Sequence, residues 1–139
     1  MMENKIGVID MIYELKKKCS KIDNQLMREL DLSQSELQFF LALGNCKSIS
    51  SNELSKHMEL SASRISRVVD KLVINGYLNR DIDSKDRRAI TLALTSKGLE
   101  TKDIITNKRK ECETRVLDSL SGEDAASFRK LVKQIIVKL

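Results

Sequence analysis

Two short stretches of the sequence have the residue types for recognising a polyanion. Ser61-Ala62-Ser63-Arg64-Ile65-Ser66-Arg67 combines small side chains, hydroxyls and two guanidinium groups; Asp83-Ser84-Lys85-Asp86-Arg87-Arg88 sets three cations close together. Guanidinium forks pair with phosphate oxygens and base edges, and small residues let a helix come close to a groove. Free N–H groups at a helix N-terminus add a further site for phosphate. No Ser/His/Asp set or metal-ligand pair stands out for covalent or acid–base chemistry. There is one histidine, His57, and no glycine-rich phosphate loop. Glu111 and Glu113 stand two apart on a helical stretch and so do not face each other. These absences argue against an enzyme.

The charge follows the same stretches. Residues 1–44 carry a net −1, residues 45–98 a net +4 and residues 99–139 a net +2, which together make the +5 of the chain. A basic middle segment suggests a polyanion-binding unit flanked by structural parts. With 139 residues, 41% hydrophobic and 32% charged, the chain is long enough for a real core. Aromatics make up only 4%, with no Trp, so a base-stacking platform is not expected. Cys19, Cys46 and Cys112 are widely spaced and form no Cys-x-x-Cys pair. That pattern predicts reduced thiols, no metal site and a cytoplasmic setting. No cofactor is expected, and no apolar run has the length of a signal peptide or membrane span.

The elements that must position these residues can be read from periodicity and capping. Residues 5–30 form one helix with a narrow heptad-like seam of Val8, Ile12, Leu15, Cys19, Ile22 and Leu26. Ser33-x-x-Glu36 opens a second helix that Gly44-Asn45 ends, and Ser50-x-x-Glu53 opens a short third one. After a turn at Glu59-Leu60, Ser61 caps a fourth helix that runs to about Asn75. Two short helices joined in this way form a helix-turn-helix pattern, here without the usual turn glycine. Residues 77–82 and 89–95 then read as a hairpin, with Ile90, Leu92 and Leu94 alternating on one face. Its charged tip makes it a wing. A long helix from about Lys97 to Ser119 follows, and Ser121-x-x-Asp124 opens the last helix.

On a helical wheel of the fourth helix, Ile65, Val68, Val69 and Leu72 group together. Ser63, Arg67, Asp70 and Ile74 lie opposite, with Arg64, Ser66 and Lys71 on the flanks. Asp70 is out of place on a phosphate-facing side unless a cation such as Arg67 or a wing arginine pairs with it. Asp83 and Asp86 read as turn formers that orient the neighbouring cations.

The last helix is apolar to its end, through Leu131, Ile135, Ile136 and Leu139. Together with Val8, Ile12, Leu15 and Ile22 of the first helix, these residues predict a dimer interface; mutual cover within one chain is the alternative. The expected division is 1–32 for an N-terminal dimerisation helix, 33–98 for a winged helix-turn-helix domain and 99–139 for C-terminal dimerisation helices.

These residues resemble the MarR family of winged-helix regulators. The resemblance rests on residues 61–72, on Asn75-Gly76-Tyr77-Leu78, on the wing run 83–88 and on Leu92-Ala93-Leu94-Thr95-Ser96-Lys97-Gly98. It implies a mainly α fold of about six helices with a small β-hairpin wing. It also implies an obligate-type homodimer built on the first and last helices, and binding to a pseudo-palindromic operator in double-stranded DNA. A repressor is the expected sense of regulation. Ser61 to Arg67 and Lys71 would form the recognition helix, and Asp83 to Arg88 the wing. Family members respond to phenolic or other small aromatic ligands, to oxidants or to metals.

Some members sense oxidants with a cysteine in the first helix, and Cys19 lies on that helix. Its place on the apolar seam predicts a buried, inert thiol, whereas nearby Lys16, Lys17, Lys18 and Lys21 would lower its pKa. Two other readings therefore stand beside the regulator with a small-molecule effector. One is a cysteine-based redox-sensing regulator; the other is a winged-helix protein-interaction module without specific DNA binding.

Overall fold

The computed structural model describes residues 7–82, 85 and 90–139. In chain order the elements are α1 (Val8–Leu30), α2 (Gln34–Leu43), β1 (Ser48–Ser50), α3 (Ser51–Met58), α4 (Ala62–Ile74), β2 (Leu78–Ile82), β3 (Ile90–Leu94), α5 (Ser96–Asp118) and α6 (Gly122–Lys138). The three strands form one antiparallel sheet in the order β1-β3-β2. This is the mainly α fold with a small wing that the sequence predicts, with one strand added.

Local chemistry sets the helix boundaries. Ser33 forms a full capping box on α2: its hydroxyl accepts from Glu36 N at 3.2 Å, and Glu36 Oε1 accepts from Ser33 N at 3.2 Å. Ser50 and Ser121 cap α3 and α6 by accepting from the N–H three residues on, each at 3.1 Å. Each such cap contributes about 1 kcal/mol. α1 ends at Asp31, which turns left-handed with φ 53°, while Leu32 N donates to Met27 O at 3.0 Å.

One compact unit ends at Ile105. Its core includes Leu26 of α1, Leu37 and Phe39 of α2, Leu54 of α3, Leu72 of α4 and Leu92 of β3. Burying a side chain of this size contributes about 1.5–3 kcal/mol. The rings of Phe39, Phe40 and Tyr77 meet edge to face in sequence, with centroids 5.5 and 5.7 Å apart. The α1 seam is divided. Ile22 and Leu26 are buried in this core, whereas Val8, Ile12 and Leu15 are exposed. Ile22, expected on the association face, is therefore a core residue of its own chain. Cys19 corrects a second expectation: its thiol-bearing side chain is exposed, because α1 leaves the core above Ile22.

The second compact unit, Thr106–Leu139, contains the rest of α5 and all of α6. No residue of α6 is buried. Leu131, Ile135, Ile136 and Leu139 are exposed, as is Phe128. Arg129 and Glu113 pair across this unit at 3.5 Å. Among the described residues, no helix is long and apolar enough to cross a membrane.

Strand β1 is absent from the sequence reading. At three residues it is too short to show alternation, and only Ile49 within it is buried. Its pairing is visible only in space: Ser48, Ile49 and Ser50 lie opposite Ala93, Leu92 and Thr91.

Candidate nucleic-acid interface

The helix-turn-helix consists of α3, a two-residue link at Glu59-Leu60 and the Ser61 cap of α4. Glu59 takes the left-handed conformation at φ 53° that a glycine would usually fill. The turn is closed by Leu60 N donating to Ser55 O at 3.3 Å and by Ser55 Oγ donating to Leu60 O at 2.7 Å. Ser61 Oγ accepts from Arg64 N at 3.4 Å and lies 3.2 Å from Ser63 Oγ. The sharp entry into α4 is thus fixed by side chains on both sides of the link.

Packing then determines which face of α4 stays open. Ile65, Val68, Val69 and Leu72 are buried. Ser61, Ala62, Ser63, Arg64, Ser66, Arg67 and Lys71 are all exposed. Seven residues selected for their chemistry therefore share the open side of one helix and its cap. Asp70, also exposed, is paired: Arg80 Nη2 donates to Asp70 Oδ1 at 2.5 Å. Of the alternatives read from sequence, the partner is an arginine of the wing, on β2.

The wing strands pair from Leu78 opposite Leu94 to Ile82 opposite Ile90. Lys85 is exposed. Asp83, Ser84, Asp86, Arg87 and Arg88 lie outside the described residues.

Sequence reasoning missed the joint that holds α4 to the wing and to α5. Thr95 Oγ1 donates to Gly76 O at 2.6 Å and accepts from Gly98 N at 3.1 Å, while Thr95 N donates to Tyr77 O at 3.0 Å. Lys97 Nζ donates to Asn75 O at 2.7 Å and stands 4.4 Å from the centre of the Tyr77 ring. Gly98 is required here, since a Cβ would overlap the Tyr77 carbonyl oxygen and stand 2.9 Å from Leu94 Cδ2. The signal was present as Leu94-Thr95-Ser96-Lys97-Gly98, but a linear motif does not reveal that its partners are residues 75–77.

Burial raises the pKa of the Tyr77 phenol above its ordinary value, and the Glu36 and Asp31 carboxylates add to the shift. Glu36 is buried, and its Oε2 has no hydrogen-bond partner among the described residues. A cleft of about 690 Å³ opens beside it, between the start of α2 and α4, with Ser33, Leu60, Arg64, Arg67 and Lys71 in its wall. Among the described residues, no group of His, Cys, Asp and Glu side chains could hold a metal ion.

A helix-turn-helix whose second helix has an exposed basic face, followed by a paired β-hairpin, defines a winged helix-turn-helix protein. Residues 32–90 match the MarR family model. The chain is 28% identical over 112 residues to the HTH-type transcriptional regulator BilQ of Clostridium symbiosum, covering 81% of this chain and 77% of that one. It superposes on a MarR protein from Peptoclostridium difficile with a TM-score of 0.78 at 19% identity, over 99% of this chain and 91% of the other. A mutant Escherichia coli MarR complexed with operator DNA gives a TM-score of 0.71 at 19% identity, over 90% of each chain. The helix-turn-helix and wing of this chain thus match the MarR family over residues 32–90, and the chain shares the fold of the MarR structures superposed on it.

Proposed function

We propose that this chain is a homodimeric repressor that binds a pseudo-palindromic operator through α4 and the wing and is released by a small-molecule effector. The observation that carries the reading is the two-sided character of α4. Its apolar residues are buried, and Ser63, Arg64, Ser66 and Arg67 are left open together. In this reading hydroxyls and guanidinium groups meet base edges and phosphates in the major groove. Lys85, with Arg87 and Arg88 in the same run, serves the flanking minor groove or backbone.

Two copies are needed because two recognition helices must reach successive major grooves about 34 Å apart. The reading is supported by exposed apolar residues in each compact unit: Val8, Ile12 and Leu15 on α1, and Leu131, Ile135, Ile136 and Leu139 on α6. The division into 1–32, 33–98 and 99–139 by task follows from the same assignment.

A small aromatic or phenolic effector acts by preferring one spacing of the two recognition helices over another. The cleft beside Glu36 supports this role, because its wall includes Arg64, Arg67 and Lys71. A second trigger is favoured by one observation: Cys19 is exposed on α1, where oxidation would alter the proposed association face.

The test is selection of duplexes from a random-sequence library by the purified protein. Recovery of an inverted repeat, with half-sites about one helical turn apart, is the expected result. Recovery of no preferred sequence would favour a winged-helix module that works through protein contacts.

A further inference from the structure

Asp70 is the only carboxylate on α4, and it stands on the exposed stripe that carries Ser63, Arg67 and Ile74. A bare carboxylate there would repel phosphate. The stripe keeps it because of Arg80, whose Nη2 donates to Asp70 Oδ1. Arg80 projects from the same side of β2 as Leu78, whose burial roots the strand in the core. The ion pair thus crosses from the recognition helix to the wing, one step out from that root.

Stability does not account for it. The two side chains keep 34% and 55% of their exposure, and pairs this open contribute little to folding. Placement does account for it. A guanidinium has five N–H donors in a rigid fork, and Asp70 engages the Nη2 end. The Arg80 side chain stays partly exposed, and the pair anchors its fork beside α4, at the edge of the face assigned to DNA.

Building on the operator-binding reading above, we propose that Asp70 is a positioning residue for DNA binding. It holds the Arg80 guanidinium where its partly exposed fork meets the phosphate backbone beside the recognition helix. Arg80 thereby joins the DNA-contacting set, and the wing strand and α4 present their cations as one surface.

The test exploits a difference in sign. If Asp70 acted only through its charge, Asp70→Ala would tighten DNA binding. As a positioning residue, its loss should weaken binding about tenfold, on the scale of one charged hydrogen bond. The probe is the duplex selected by the wild-type chain, titrated at several salt concentrations. Arg80→Ala should weaken binding similarly and reduce the salt slope by about one. In the Arg80→Ala background, Asp70→Ala should cause no further loss, and Asp70→Glu alone should bind close to wild type. Thermal melting of each variant should stay near wild type. Equal or tighter binding by Asp70→Ala, or an undiminished loss in the Arg80→Ala background, would overturn the proposal alone. A wild-type chain that selects no duplex would overturn the operator-binding reading and this proposal with it.

Discussion

Gly98 lies against the backbone carbonyl of Tyr77, so close that a single added methyl group would overlap its oxygen. The contact joins the first turn of α5 to Tyr77, three residues past the end of α4 and just before β2. Thr95 and Lys97 complete the joint through Gly76 O, Tyr77 O and Asn75 O. The end of α4, the hairpin and the start of α5 are thereby joined at one point. Gly98→Ala should lower stability by about 1–3 kcal/mol or more, because backbone rather than a flexible side chain must give way. Urea denaturation of the variant checks this.

Glu59 holds the left-handed position in the turn between α3 and α4. A residue with a Cβ is held there at a cost of about 1–2 kcal/mol, partly offset by the greater freedom that glycine would have in the unfolded chain. Glu59→Gly should therefore raise stability by under about 1 kcal/mol, seen as a higher melting temperature. DNA affinity should stay the same, since the turn geometry is unchanged.

Tyr77 predicts a specific pH dependence. Burial, then the Glu36 and Asp31 carboxylates, raise its folded pKa above the ordinary value. The unfolded phenol ionises at about pH 10, before the folded one does. The contribution is thus complete below that pH and is lost as pH rises through the folded pKa. Urea melts of wild type and Tyr77→Phe should therefore run parallel at neutral pH. Above about pH 10 wild type should lose stability faster.

Ile135 and Leu131 are exposed in a helix with no buried residue. If a second copy covers them, Ile135→Glu should raise the dimer dissociation constant by about a hundredfold or more, because a carboxylate would be buried without a partner. Lys133→Glu, on the same helix away from that apolar row, should have little effect. Sedimentation equilibrium reads both.

Much of this architecture is legible in the sequence because it depends on local rules. Ser33, Ser50, Ser61 and Ser121 each cap the helix expected of them. The period-two run from Ile90 to Leu94 pairs with Leu78–Ile82 as expected. What escaped depends on distant partners. Ile49 gives no strand signal until Leu92 lies opposite it. Arg80 is one more surface arginine until the fold brings it to Asp70, ten residues away in sequence. Ile22 and Cys19 share one helical seam, yet the core covers only the first, since the depth of burial along α1 depends on what packs beside it.

The central claim is that the open face of α4 reads DNA through its arginines. The most direct test is a salt-dependent titration of wild type and an Arg64→Ala, Arg67→Ala double variant against the selected duplex. The account predicts tight wild-type binding that weakens steeply with salt. It also predicts a salt slope smaller by about two in the double variant, together with loss of sequence preference. Binding by the double variant with unchanged affinity and slope would contradict it.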